Sequence, residues 1–137
     1  MSVGRVQYGL STALVALAQS AIANGYQVGL FTNNHTPAVT DGLSAFTEAS
    51  FFGYERQTLT SWLVPSFDAT SGTYTLQYGG VLFEGADSSD QEVYGYLVIG
   101  PGNLLIAANV LAGGPYPCGT PAHPIVIIAS EQLGNSP

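Results

Sequence analysis

Residues Glu92–Leu111 read EVYGYLVIGPGNLLIAANVL, and this stretch decides the fold. Val93, Tyr94, Tyr96, Leu97, Val98 and Ile99 are β-branched, aromatic or aliphatic, with only Gly95 between them. Gly100-Pro101-Gly102-Asn103 follows, and Leu104, Leu105 and Ile106 resume the apolar run. Two apolar runs of strand length around four turn residues predict a β-hairpin. Pro101 pre-sets φ at the second turn position and Gly102 accepts φ > 0 at the third, the chemistry of a type II turn. Successive residues point to opposite faces of a strand, yet here both faces are apolar. The hairpin is therefore expected to be covered on both sides, by its own core and by a partner.

Short strands and turns extend outward from this hairpin in both directions. On the N-terminal side, Val3–Tyr8 reads as an extended arm, with Ser11 as the N-cap of a helix over Thr12–Asn24. Leu10, Leu14, Leu17, Ala18, Ala21 and Ile22 recur at helical spacing. Leu14, Leu17 and Ile22 are expected to be buried, and Gly25 supplies a left-handed stop. Tyr26–Thr32 is a strand broken by Asn33-Asn34-His35-Thr36-Pro37, and residues 38–49 form a loop anchored by Leu43 and Phe46. Further strands are expected from Phe51 to Gln57, over Leu59–Val64 and Tyr74–Tyr78, and then, after a Gly79-Gly80 hairpin turn, over Val81–Phe83. Ala86–Gln91 is a polar loop, Gly113–Pro124 an irregular connection holding four of the eight prolines, and Ile125–Ala129 a last apolar strand. About eight short strands with frequent turn signals indicate a mainly β chain, a β-sandwich or jelly-roll-like domain with one N-terminal helix. The expected organisation is a single domain over 1–137, with an arm at 1–10, a helix at 11–24, the sandwich at 26–129 and a tail at 130–137.

Composition narrows the function. Only 8% of residues are charged, there is no lysine, and the net charge is −7. Arg5 and Arg56 cannot supply the clustered cations that nucleic acid or an anionic membrane requires, so neither is an expected partner. A surface so poor in charge suits a chain that lives in an assembly. Arg5, the apolar Leu10–Ala18 and Ala21-Ile22-Ala23 imitate a secretory signal, which would make the chain a secreted β-sandwich module. The segment is shorter than a membrane span and is read as part of the fold.

Several short motifs occur in a fixed order. They are Leu30-Phe31-Thr32-Asn33-Asn34 with Thr36-Pro37, Phe46-Thr47-Glu48-Ala49, Phe52-Gly53-Tyr54, Leu59 with Trp62, and Val93-Tyr94-Gly95-Tyr96. Together they resemble a family of small structural, cement-like decoration proteins encoded among the structural genes of tailed bacteriophages. The resemblance covers roughly residues 10–111. It implies a non-enzymatic virion protein on the exterior of the particle, most simply a capsid decoration protein that bridges and stabilises capsid subunits. The major capsid protein or another virion protein would be its partner, and a homotrimer its form. The alternative is a fibre, collar or receptor- or glycan-binding tip, with Tyr54, Trp62, Tyr94, Tyr96 or Tyr116 as stacking platforms. The family offers no catalytic residue to transfer, and the PYPCGTPAHP segment from Pro115 to Pro124 lies outside the pattern.

The residues read in their own right point the same way. Asn33 and Asn34 close a turn, and Gly53 and Gly95 admit a close backbone or an aromatic ring. Cys118 and His123 are too few to hold zinc, which takes three or four protein ligands. A Cys–His nucleophile pair would need a third, orienting group and a lowered thiol pKa. Asp87, Asp90 and Glu92 lack the spacing of an EF-hand and read as a solvated acidic loop. The carboxylates at Asp41, Glu48, Glu55, Asp68, Glu84 and Glu131 are scattered, and His35 reads as structural. No catalytic, cofactor-binding or metal-ligating residue is assigned, and no cofactor is expected.

Overall fold

The computed structural model describes the backbone of residues 2–134 and the side chains of residues 12–130. A helix, α1 (Ser2–Ala23), precedes short antiparallel strands. These are β1 (Gln27–Phe31), β2 (Gln57–Thr58), β3 (Ser66–Asp68), β4 (Thr73–Gln77), β5 (Val81–Phe83), β6 (Gln91–Val93), β7 (Gly95–Gly100), β8 (Leu104–Val110), β9 (Tyr116–Cys118), β10 (Ile125–Ile127) and β11 (Ser130–Gly134). The protein is thus mainly β, a small sandwich-like fold with an N-terminal helix. The principal sheet has the order β2-β1-β7-β8, and β11-β4-β3, β10-β5 and β6-β9 form smaller sheets.

The hairpin read from residues 93–110 is present, with β7 and β8 in antiparallel register from Gly95↔Val110 to Gly100↔Leu104 and a bulge opposite Val98/Ile99. Its connection is a 3-10 turn over Pro101–Asn103 in which Gly102 and Asn103 both take positive φ, so the turn is wider than the expected type II. Every residue of β7 is buried. Tyr96 and Val98 face the main core with Val28, Leu30, Leu76 and Phe83. Leu97 and Ile99 face a second cluster with Phe31 and Phe46. The expected need for a partner over β7 is therefore corrected: the loop after β1, anchored by Phe46 and Leu43 as anticipated, covers its second face. Gly95 has no room for a side chain, because a Cβ there would lie 2.2 Å from the Asn109 carbonyl oxygen and 2.5 Å from the Phe31 ring.

The helix differs from expectation at its start. Residues 2–10 continue it in place of an arm, and Ser11 lies inside it instead of capping it. The stop is as read: Gly25 has φ +68, and the Tyr26 N–H returns to the Ala21 carbonyl at 3.0 Å. This 6→1 bond across a left-handed glycine is a Schellman ending. Leu14, Ala18 and Ala21 form the buried stripe, each at most 2% exposed. Ile22 packs on its margin, whereas Leu17 is 48% exposed, against the expectation of burial. Positions 14, 18 and 21 lie on one helical face, and Leu17 falls beside it. The helix packs on β4 and β11.

Other boundaries shift for long-range reasons. Residues 51–56 turn instead of extending, and Leu59–Val64 contributes only a Trp62↔Tyr78 bridge. The expected Gly79-Gly80 hairpin is a crossing between sheets, since β4 pairs with β3 and β11 while β5 pairs with β10. The Pro-rich connection holds β9, with Pro117 opposite Glu92. Residues 130–134 of the expected tail form β11 along β4, and residues 135–137 lie outside the described residues.

Candidate interaction surface

Three groups of polar residues organise the loops. The first is centred on Glu48, which bridges the end of β1 through Phe31. Tyr54 donates its hydroxyl to Glu48 Oε2 at 2.5 Å, and the Leu30 N–H donates to the same hydroxyl oxygen at 3.2 Å. Arg56 grips both carboxylate oxygens at 2.9 Å and sends Nη1 to Asn103 Oδ1 at 2.7 Å. Burial pushes the Glu48 carboxyl up, but the hydrogen bonds from Arg56 and Tyr54 outweigh it and hold it below its usual value. Burial, then the Glu48 carboxylate, raises Tyr54 well above an ordinary phenol. Gly29 makes this docking possible, because a Cβ there would sit 2.9 Å from the Tyr54 hydroxyl.

In the second group His35 Nε2 meets Asp41 Oδ2 at 2.8 Å, and the Ala38 N–H reaches the same oxygen at 2.8 Å. These hydrogen bonds lower the Asp41 carboxyl. Asn33 fastens the same loop by donating to the Ala45 carbonyl and accepting from the Thr47 N–H; these are side-chain-to-backbone bonds, but they span the loop instead of closing the expected local turn. Val39 stands fully exposed at the tip.

The third group overturns the reading of residues 87–92 as a merely solvated loop. Asp87 accepts from the Phe52 and Ser88 N–H groups, which lower its carboxyl. Asp90 Oδ1 accepts from both the N–H and the hydroxyl of Thr120 at 2.9 Å, while Oδ2 meets His123 Nδ1 at 2.6 Å. The Thr120 N–H and the His123 bond leave Asp90 below its usual value, against a smaller opposing effect of desolvation. The side chains of Asp87 and Asp90 are thus fasteners between distant loops. Proximity of this kind, 30 and more residues along the chain, has no local signature.

Cys118 does not join His123 in a nucleophile pair. Its thiol is fully buried beside the Phe83 carbonyl, and burial followed by the Asp90 charge raises its pKa, the reverse of an activated thiol. Among the described residues no group of three or more His, Cys, Asp or Glu side chains is placed to hold a metal ion. None of the described helices is long and apolar enough to cross a membrane.

The aromatic platforms are not equivalent. Tyr96 is buried, Tyr54 is spent on Glu48, and Trp62 and Tyr94 are half-buried. Tyr116 is the exposed one, with its hydroxyl donated to the Ala112 carbonyl. It borders a groove of about 460 Å³ shared with Leu111, Pro117, His123, Pro124 and Ile125. Val126 lines the same groove and stands 60% exposed. It pairs across the two-stranded sheet with Leu82, and Ile128 and Leu82 are also about half exposed. β10 thus buries Ile127 and turns an apolar, uncharged face outward. Leu104, Ile106 and Val110 are also exposed on β8, the edge strand of the principal sheet. Comparison of the chain with protein-family models, with curated proteins and with solved structures finds no match.

Proposed function

We propose that this chain is a non-enzymatic structural protein of a tailed-phage virion, a decoration protein that sits on the capsid exterior and bridges and stabilises capsid subunits. The phage assignment rests on the ordered motifs from Leu30 to Tyr96. The assembly role rests on one structural observation: β10 and β5 present the apolar side chains of Val126, Ile128 and Leu82 to solvent. Contiguous exposed apolar surface of this kind marks contact sites. In a chain with nine acidic and two basic side chains, a neutral face is also where a second copy approaches without like-charge repulsion. The working form is a homo-oligomer, a trimer before a dimer, attached to the major capsid protein by apolar and neutral hydrogen-bonded contacts.

The test is addition of the purified protein to capsid shells that lack it, followed by sedimentation. Binding at a fixed ratio to capsid subunits, in hundreds of copies per particle, supports the proposal; no binding to shells overturns it. A few copies located at the tail would instead support a receptor-binding tip, the reading that the exposed ring of Tyr116 favours.

A further inference from the structure

We infer that Asn24-Gly25 is a self-modification site held shut by the fold: the unfolded chain converts Asn24 to aspartate and isoaspartate, and the closed end of α1 prevents it. Asn24 is the only asparagine in the chain that is followed by glycine. The reaction needs nothing beyond these two residues and water. The Gly25 main-chain nitrogen gives up its proton to solvent and attacks Asn24 Cγ. The N–Cγ bond forms, the Cγ–Nδ2 bond breaks, and Nδ2 takes up a proton and leaves as ammonia. Water then opens the cyclic imide at one carbonyl or the other. The product is aspartate or, with the main chain rerouted through the side chain, isoaspartate. Glycine is the residue best suited to supply the nitrogen, because it has no Cβ to crowd the approach.

In the folded protein both reacting groups are engaged elsewhere. The Gly25 N–H donates to the Ile22 carbonyl at 3.1 Å, so its nitrogen loses that bond if it gives up the proton. Asn24 Nδ2 reaches back along the helix to the Ser20 carbonyl at 2.8 Å and to Ser20 Oγ at 3.2 Å, away from Gly25. The Tyr26 N–H on the Ala21 carbonyl at 3.0 Å and the positive φ of Gly25 fix the main chain on the other side. Asn24 and Gly25 are both exposed, so water and base reach them freely. Hydrogen bonds, and not burial, hold the reaction back.

The products do not restore this ending. Aspartate has no N–H to offer the Ser20 carbonyl, one of the last four of the helix. It also places a negative charge at the helix C-terminus, where the last turn carries no basic residue. Isoaspartate adds a methylene to the main chain ahead of Gly25 and displaces the residue on which the closing turn depends. Since α1 packs on β4 and β11, a modified chain docks its helix less well. A chain that stays unfolded is thus marked by a step that folding does not reverse. This site is independent of the assembly role proposed above.

The test incubates the full chain at one mildly alkaline pH, with and without urea, and follows the amide-to-acid mass change at Asn24 by peptide mass spectrometry. Conversion should be about tenfold or more faster in urea, because in the folded chain it must wait for the helix end to open. Gly25→Val is compared with the wild type in urea, where folding plays no part. Its β-branched side chain should slow the step about tenfold. Asn24→Asp, the product with an ordinary main chain, should melt below the wild-type protein. Equal rates at Asn24 in native buffer and in urea overturn the proposal. So does undiminished conversion of Gly25→Val in urea, or a wild-type melting temperature for Asn24→Asp.

Discussion

Arg56 holds Glu48 by both oxygens, Nε on Oε2 and Nη2 on Oε1, each at 2.9 Å. One of the two basic residues in the chain is thus committed to an internal pair eight residues away, and Tyr54 completes it. Removing Arg56 leaves a partly buried carboxylate without its counter-charge. Arg56→Met should lower stability by about 2 kcal/mol, short of the cost at a fully buried pair because both side chains remain about a quarter exposed. Tyr54→Phe should cost about 1 kcal/mol. Urea unfolding of the singles and the double should show coupling, and additive losses would mean that the three groups do not act together.

Acid should destabilise the fold through a known set of groups. Asp41, Glu48, Asp87 and Asp90 all have carboxyls held below their ordinary values by hydrogen bonds. Such groups titrate near pH 4 when unfolded, so their stabilisation is complete above that and is lost as pH falls through the lower folded values. Melting temperature should hold between about pH 7 and 5 as far as these groups are concerned, and fall below about pH 4. Glu48→Gln should start lower and lose less on acidification. Parallel curves for the two proteins would contradict the assignment.

The helix makes a graded prediction. Leu14 is fully buried, so Leu14→Ala should cost about 3 kcal/mol. Leu17 is half exposed, and Leu17→Asp should cost less than about 1 kcal/mol in the isolated chain. If Leu17→Asp nevertheless dissociates an oligomer seen by light scattering, Leu17 belongs to a subunit contact.

Gly95→Ala tests the closest approach in the principal sheet. A methyl group there collides with the Asn109 carbonyl of β8 and the Phe31 ring of β1 together. Crowding of this order should cost about 3 kcal/mol or prevent folding. A wild-type melting temperature would show that β7 and β8 are not so closely paired.

The outer face of β10 should govern association without governing the fold. Val126→Asp should leave the melting temperature of a dilute sample nearly unchanged, because the side chain is mostly exposed, while reducing self-association and capsid binding. Association of the wild-type protein should change little between low and moderate salt, since Val126, Ile128 and Leu82 carry no charge. Steep salt dependence, or full binding by the variant, would place the contact elsewhere.

The hairpin, the first strand and the glycine stop of the helix were legible because each is written in neighbouring residues: two apolar runs around Gly100–Asn103, and Gly25 after a helical stripe. The pairing of β6 with β9 was not, since Pro117 argues locally against a strand and only Glu92, far along the chain, supplies its register. The same holds for Asp90 and His123, 33 residues apart. Both faces of residues 96–99 read correctly as apolar, but which element covers the second face depends on the path of residues 38–49. Composition could count the carboxylates; it could not say that several of them bind loops together.

The placement of β11 has a consequence for biosynthesis. Residues 130–134 lie along β4, and α1, which emerges from the ribosome well before them, packs against both strands. β10 likewise completes β5 from far along the chain, with Ile125 opposite Phe83. Until β10 and β11 leave the exit tunnel, Leu14, Leu76 and Phe83 have only part of their enclosure, so the nascent chain carries an unfinished core up to that point. Ordering of α1 is in this sense tied to the arrival of β11, whose contacts are far away along the chain.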